Sequence, residues 1–203
     1  MIEVHHLRES RSRRITWLLE ELDIEYELIS YDRDTVTRLA PPELTQIHTL
    51  GKAPVIRDNG QVIFESGAIV EYLVRRYGAG RFSPATDTED YNRYVQFLHY
   101  AEGSAMLPLM LKLYVGRIGE AGVPLYPRIQ SEMQNHLGFL DREFENRDYI
   151  VGKTLSGADV QLSFVVEFAI MFAGRDAYPH LTRFMDRIQA RPAYKKAIER
   201  CGK

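Results

Sequence analysis

The residues best suited to chemistry in this chain cluster in Gly51-Lys52-Ala53-Pro54-Val55-Ile56 and, after an Asn59-Gly60 pair, in Phe64-Glu65-Ser66-Gly67-Ala68-Ile69. A proline at the mouth of a strand donates no ladder hydrogen bond, so Pro54 belongs to a strand edge, a strand start or a bulge. Ala53 then keeps backbone groups for a ligand. A short strand, a tight turn and a second strand deliver Glu65 and Ser66 to the start of a helix, where outward-pointing N–H groups favour a carboxylate. Such a set suits an extended, peptide-like acid. Ser66 would also cap that helix, and the two uses are compatible because a capping position is itself an anion site.

Other chemistries lack their residues. The six histidines show no metal-ligand spacing, and the one cysteine, Cys201, lies close to the C-terminus, so neither a metal centre nor a disulfide framework is expected. Ser156-Gly157-Ala158-Asp159 looks like a catalytic pair, but no third member of a hydrolytic triad accompanies it. Its spacing is that of a Ser-x-x-Asp capping box ahead of an apolar run, and Ser156 and Asp159 read as folding determinants. A net charge of −2 provides no broad positive field, which argues against nucleic acid as a partner. With 45% hydrophobic and 27% charged residues the chain has the composition of a folded globular protein. The first residues read as a strand rather than a leader, and no run of about 18 apolar residues occurs, so a cytoplasmic protein without a membrane partner is expected.

These groups must be positioned by elements that the pattern places in two halves. Strands are expected at Ile2 to Leu7, Tyr26 to Tyr31, Pro54 to Asp58 and Gln61 to Phe64. Between the first two, Ile15, Leu18, Leu19 and Leu22 line one face of a helix from about Ser12 to Leu22, giving a right-handed parallel βαβ unit. Asp58-Asn59-Gly60 predicts a type I′ hairpin, so the last two strands are antiparallel. Ile69, Val70, Leu73 and Tyr77 mark a helix ended by Gly78. Residues 78 to 87 read as a linker, and helices fill the rest: one long helix from about Thr88 to Gly116, kinked or split at Pro108, then Pro127 to Phe144, an all-apolar helix from Val160 to Phe172, and Pro179 to Ala190.

The whole chain resembles the cytosolic glutathione transferases. The residues that carry the likeness are Ser10-Arg11-Ser12-Arg13-Arg14 with Trp17-Leu18-Leu19-Glu20-Glu21-Leu22, Leu50-Gly51-Lys52-Ala53-Pro54-Val55, Glu65-Ser66-Gly67-Ala68-Ile69 with Tyr72-Leu73, and Ser156-Gly157-Ala158-Asp159. Each is weak alone, and four in order are specific. The Trp-Leu-Leu-Glu-Glu-Leu helix looks most like bacterial and fungal serine-type members. The resemblance implies an α+β thioredoxin-like domain (βαβ-ββα) over 1–80, an all-α helical bundle over 81–203, a homodimer, and a cis bond before Pro54.

It also implies roles. Glutathione is the co-substrate, a small hydrophobic electrophile is the partner, and no cofactor or metal is permanently bound. A free thiol with a pKa of about 8.5 is only a few percent ionised at neutral pH, so the enzyme must stabilise the thiolate. The catalytic serine of theta-like and delta-like members precedes an arginine by the spacing that separates Ser10 from Arg14, which marks Ser10 as the thiolate donor, with Ser12 the alternative and helix capping by either serine the structural reading. Tyr26, on the second strand, is the tyrosine nearest the N-terminus, and no cysteine stands near Ser10. Conjugation or thiolate-dependent peroxide reduction therefore fits better than thiol–disulfide exchange. Ala53, preceding Pro54, would pair with the cysteinyl backbone as an added strand does. Glu65 would meet the glutathione ammonium and Ser66 the γ-glutamyl carboxylate, while Lys52, assisted by His48, would meet the glycine carboxylate. Met106, Met110, Leu113 and Tyr114 would form the electrophile pocket, against the reading that they pack in the bundle core. Arg11, Arg13 and Arg14 read as clustered charge on an exposed helix face, and Glu102 would reach glutathione across a dimer interface by family analogy only. Peroxidase or isomerase activity, or a non-catalytic glutathione-binding regulatory role, are the alternatives.

Overall fold

A computed structural model describes residues 1–202 and divides the chain into two compact units, Met1–Phe82 joined by the segment from Gln189 onward, and Ser83–Ile188. The first unit begins with β1 (Ile2–Leu7), α1 (Ser12–Leu22) and β2 (Tyr26–Tyr31), the expected βαβ unit. A one-turn helix, α2 (Leu44–Ile47), which the sequence pattern did not signal, leads into the hairpin of β3 (Val55–Asp58) and β4 (Gln61–Phe64), followed by α3 (Ser66–Tyr77). The sheet order is β2-β1-β3-β4, with β1 parallel to β2 and antiparallel to β3. Asn59 and Gly60 both take positive φ, 49° and 78°, as a type I′ turn requires. Asp58 is buried and accepts hydrogen bonds from the hydroxyls of Tyr72 (2.8 Å) and Tyr77 (2.5 Å), which pins the hairpin to α3.

Gly78 does follow α3, though not as a left-handed cap: its φ is −70°, and a Cβ there would lie 2.3 Å from the Val74 carbonyl oxygen. The close approach of backbone, not a positive φ, requires glycine at this position.

The last helix, α9 (Pro192–Cys201), corrects the expected division at 80/81, which assigned it to the helical half. It packs on α1 instead. Tyr194 meets Trp17 edge-on at 5.4 Å between ring centroids. Glu21 accepts from Arg191 Nε at 2.5 Å and from Trp17 Nε1 at 2.8 Å, and Glu20 accepts from Lys196, Arg200 and the Tyr26 hydroxyl. Burial pushes the Glu20 carboxyl up, but those three donors together hold it below the usual range. Glu20 and Glu21 of the Trp-Leu-Leu-Glu-Glu-Leu run are thus anchors for a helix far along the chain.

The second unit is helical: α4 (Glu89–Tyr100), α5 (Met106–Val115), α6 (Tyr126–Glu143), α7 (Gly157–Ala173) and α8 (Pro179–Ala190). Thr88 caps α4, accepting the Tyr91 amide. The single long helix expected to Gly116 is interrupted by a π-helical turn, Ala101–Ala105, before Pro108, with the Met106 amide reaching back to the Ala101 carbonyl. The widened turn relieves the helix just ahead of the proline, which has no N–H to give. Residues Gly116–Leu125 form a 3₁₀ segment broken at Gly119 (φ 59°). Along α7 nearly all residues through Val166 are buried, as its apolar sequence implies. Its start carries the full capping box: the Ser156 hydroxyl accepts the Asp159 amide, and Asp159 accepts from the Ser156 amide. Among the described residues no helix is long and apolar enough to cross a membrane.

Candidate active site

Strand register decides which residues meet. Val55 lies opposite His5 on β1 and opposite Phe64 on β4. The end of β1 that leads to Ser10, the Ala53-Pro54 approach to β3, and the exit of β4 into Glu65 and Ser66 therefore share one end of the sheet. His48 joins them, its ring stacked on Phe64 with centroids 4.1 Å apart. The Ala53-Pro54 bond is cis; Pro54 is buried, Ala53 half-buried and Lys52 exposed.

Glu65, and not Ser66, occupies the cap position of α3. Its φ of 65° and ψ of 117° lie outside the regions that a non-glycine residue ordinarily adopts, at a cost of about 1–3 kcal/mol. Its side chain makes no cap hydrogen bond. The carboxylate is exposed, while Ser66, the first helical residue, is buried. The expectation that Ser66 caps α3 is therefore corrected: the chain places the serine one residue inside, with Glu65 turned out beside it. Strain of this kind persists where the surroundings over-determine it, commonly at ligand clamps.

At the start of α1 the two candidate serines differ. Ser12 is fully buried, at 0% exposure, and its hydroxyl sits 2.7 Å from His6 Nδ1, 2.7 Å from Ser10 Oγ and 3.2 Å from the Leu7 carbonyl oxygen. Ser10, at 6%, is the outer member of this chain of hydroxyls. Ser10 Oγ also accepts the Ser12 amide at 3.2 Å, which ties the loop to the first turn of α1; the cap position itself is Arg11, without a side-chain cap hydrogen bond, so the expectation that one of the serines caps the helix is corrected. Burial holds the His6 pKa down to about 4, against the upward pull of a hydrogen bond with the Cys201 backbone; the charges of Arg13 and Arg8 push it the same way as burial. His6 is therefore a neutral ring at pH 7. Arg14 is buried, so the expectation of a solvated arginine cluster on α1 does not hold for it.

The geometry brings Ser10, Ser12, Ala53, Pro54, Glu65, Ser66 and His48 to one end of the first unit's sheet. Sequence reasoning missed His6 and Phe64. Period-two alternation from Ile2 through Val4 places His6 on the face of β1 that carries apolar side chains, which was the available signal. On α5, Met106 is buried, in keeping with the packing reading, Met110 and Leu113 are half-buried, and Tyr114 is exposed. Among the described residues no group of His, Cys, Asp or Glu is arranged to hold a metal ion.

The family model "Glutathione S-transferase, N-terminal domain" matches residues 1–75, and "Glutathione S-transferase, C-terminal domain" matches 104–192. Glutathione S-transferase 1 of Saccharomyces cerevisiae is 31% identical over 98% of this chain and 95% of its own length. The chain belongs to the glutathione S-transferase family. The crystal structure of a glutathione S-transferase from Actinobacillus pleuropneumoniae superposes on 99% of this transferase-family chain and 93% of its own, with a TM-score of 0.91 and 36% identity. The disulfide-bond oxidoreductase YfcG of Escherichia coli is another relative, 26% identical over 98% of this chain and 94% of its own length. Against that family frame, the α+β first unit and the helical second unit have the expected fold.

Proposed function

We propose that the protein is a glutathione transferase that lays glutathione along the site end of the sheet, holds its sulfur as the thiolate against the Ser10 hydroxyl, and transfers it to a small hydrophobic electrophile. The observation that carries this reading is the convergence, by strand register, of the Ser10 loop, Ala53 and the Glu65-Ser66 helix start. Ala53 pairs its backbone with the cysteinyl residue as an added strand does. The Ser66 hydroxyl and amide take the γ-glutamyl carboxylate at the start of α3, Glu65 takes the ammonium, and Lys52 with His48 takes the glycine carboxylate. Lowering a thiol pKa by about two requires roughly 2.7 kcal/mol of preference for the anion, within reach of one hydroxyl donor and the positive end of α1. The sulfur lone pair then forms the bond to an electrophilic carbon. The displaced electron pair leaves with the leaving group or, in an addition, is quenched by a proton. Met110, Leu113 and Tyr114 of α5 offer the apolar surface for the electrophile. Within the same reading the protein works in the cytoplasm as a homodimer.

A second reading uses the same thiolate without conjugation. A relative named as a disulfide-bond oxidoreductase favours it: two glutathiones become one glutathione disulfide while a disulfide is reduced to two thiols, or a peroxide to an alcohol and water, and no protein cysteine takes part.

Ultraviolet titration of bound glutathione in wild-type, Ser10→Ala and Ser12→Ala proteins tests the proposal. Thiolate present at neutral pH in the wild type and abolished by Ser10→Ala is the expected result, with conjugation of an activated aryl halide lost in parallel. Abolition by Ser12→Ala alone would transfer the role to Ser12. No glutathione binding at all would leave a non-catalytic member of the family.

A further inference from the structure

The guanidinium of Arg33 grips the turn that delivers Ser10. Arg33, half-buried just beyond β2, donates from Nε to the Arg8 carbonyl at 3.0 Å, from Nη2 to the Glu9 carbonyl at 3.1 Å and from Nη1 to the Arg38 carbonyl at 2.9 Å. Arg8 and Glu9 are the residues between the end of β1 and Ser10. Glu9 takes a φ of 53°, in the left-handed region that a residue with a Cβ enters only at a cost. The Arg8 carbonyl lies in the peptide plane ahead of the Glu9 Cα and the Glu9 carbonyl in the plane after it, so a rigid fork bonded to both fixes the rotation between them. Released from that grip, Glu9 would relax toward an ordinary backbone region, and the residue swung by the change is Ser10.

The anchor is itself held. Asp34 Oδ1 accepts the Val36 amide at 3.1 Å, the Thr37 amide at 2.6 Å and the Thr37 hydroxyl at 2.8 Å, and the Arg38 amide donates to the Asp34 carbonyl at 3.0 Å, so the loop after β2 closes a turn of its own. Two ion pairs also cross between the loops, Arg8 with Asp32 and Arg38 with Glu9, but all four side chains are exposed, where such pairs hold little. Charged donors on backbone oxygens are the stronger and more directional link.

We propose that Arg33 is a positioning residue for the thiolate site: by bonding the carbonyls on both sides of the Glu9 Cα it keeps Glu9 left-handed and aims the Ser10 hydroxyl. The inference rests on the reading of Ser10 as thiolate donor. It adds a group beyond β2 that touches no substrate and acts only through the Glu9 turn and Ser10.

The test uses the full chain, with glutathione and S-methylglutathione as probes. Arg33→Lys keeps the positive charge but gathers its donors on one nitrogen, which cannot span three carbonyls, and Arg33→Gln removes the charge as well. In ultraviolet titration of bound glutathione, the thiolate fraction at a pH below the thiol pKa should fall about three- to tenfold in both variants, while S-methylglutathione, which has no thiol proton to lose, binds as it does to the wild type. In the Ser10→Ala background, Arg33→Lys should leave the thiol pKa where Ser10→Ala put it. A Lys variant that titrates as wild type while the Gln variant falls would make Arg33 a source of positive field and overturn the proposal. An equal loss of S-methylglutathione affinity, meaning a disordered site and not a misaimed hydroxyl, would overturn it too, as would a further rise in thiol pKa in the Ser10→Ala background. If Ser10→Ala abolishes the neutral-pH thiolate while both Arg33 variants titrate as wild type, with or without a lower urea midpoint, the role given to Arg33 is wrong and that of Ser10 stands. If Ser10→Ala leaves the titration unchanged, or glutathione does not bind, both fall together.

Discussion

Removing the Asp159 carboxylate should unfold the second unit well before it touches the chemistry. Asp159 is 0% exposed and accepts from the Ile150 amide at 2.7 Å on one oxygen, and from the Ser156 amide at 2.8 Å and the Ser156 hydroxyl at 2.6 Å on the other. Burial pushes its pKa up to about 6, with those donors pulling it back down, so at pH 7 the carboxylate is ionised and takes all three bonds. In Asp159→Ala the serine hydroxyl can rotate to another acceptor, but the two backbone amides cannot move. Each buried orphan donor costs about 1–3 kcal/mol, and the loss of the first-turn anion adds a fraction more, for a total of about 3–6 kcal/mol. That is a large share of the roughly 5–15 kcal/mol that holds a typical domain together. Ser156→Ala removes only the hydroxyl half of the box and should cost about 0.5–2 kcal/mol. The double variant should lose less than the sum, since the bond from the Ser156 hydroxyl to the carboxylate is already gone in Asp159→Ala.

Urea unfolding followed by both far-ultraviolet circular dichroism and Trp17 fluorescence measures this. Trp17 is the chain's one tryptophan and lies in the first unit, whereas Asp159 and Ile150 lie in the second. Circular dichroism should therefore move to lower urea in Asp159→Ala even where the fluorescence midpoint lags, a departure from two-state behaviour that two-unit proteins permit. An Asp159→Ala protein that unfolds at the wild-type midpoint, yet has lost conjugation, would refute the structural assignment and restore Ser156 and Asp159 as a chemical pair.

Two further expectations follow from the first unit. Glu65→Gly should raise stability by about 1 kcal/mol relative to Glu65→Ala, because glycine tolerates the positive φ of 65° at this position, while both variants weaken glutathione binding equally through loss of the carboxylate; calorimetry and thermal melts read the two effects, and a Gly variant no more stable than the Ala variant would remove the strain from the account. His6, with a folded pKa held down to about 4 against about 6.5 for a free histidine, binds fewer protons folded than unfolded between those values, so its contribution is intact above pH 6.5 and drains away as pH falls toward 4. Wild type should lose about 2 kcal/mol more than His6→Phe between pH 7 and 4.5 in urea titrations, the opposing effect of Asp159 being common to both; parallel pH profiles would show that His6 is protonated as readily folded as unfolded.

Much of this arrangement was legible because the determining residues are neighbours in sequence. Asn59-Gly60 specifies its own turn, Ser156 and Asp159 close their own box, and the apolar run after them buries itself on all sides. The features that escaped are those set by distant or backbone-level events. Helix α9 carries two buried residues, Ala197 and Cys201, too few to advertise a partner, and its reason to exist lies in Trp17, Glu20 and Glu21 at the other end of the chain. The cap of α3 was misplaced by one residue because serine is the usual capping type, and a glutamate held at positive φ has no sequence signature. The π turn ahead of Pro108 is a third case: the proline announces an interruption, but not that the helix accommodates it upstream by widening.

The two ends of α1 explain why that distant helix matters to the site. Acidic residues in the last turn of a helix face its negative end, and α1 has no basic residue of its own there to offset Glu20 and Glu21. Lys196, Arg200 and Arg191 supply that charge from α9, each within hydrogen-bonding distance of one of the two carboxylates. The positive end of the same helix carries Ser12, and beside it Ser10, the position proposed for the thiolate. An α1 left with two uncompensated acids at its C-terminal end would fray from that end and loosen the turn that aligns the hydroxyls. The cations of α9 thereby let a helix with an acidic tail present a well-ordered, electropositive head, and that head is where the reaction proposed for this protein begins.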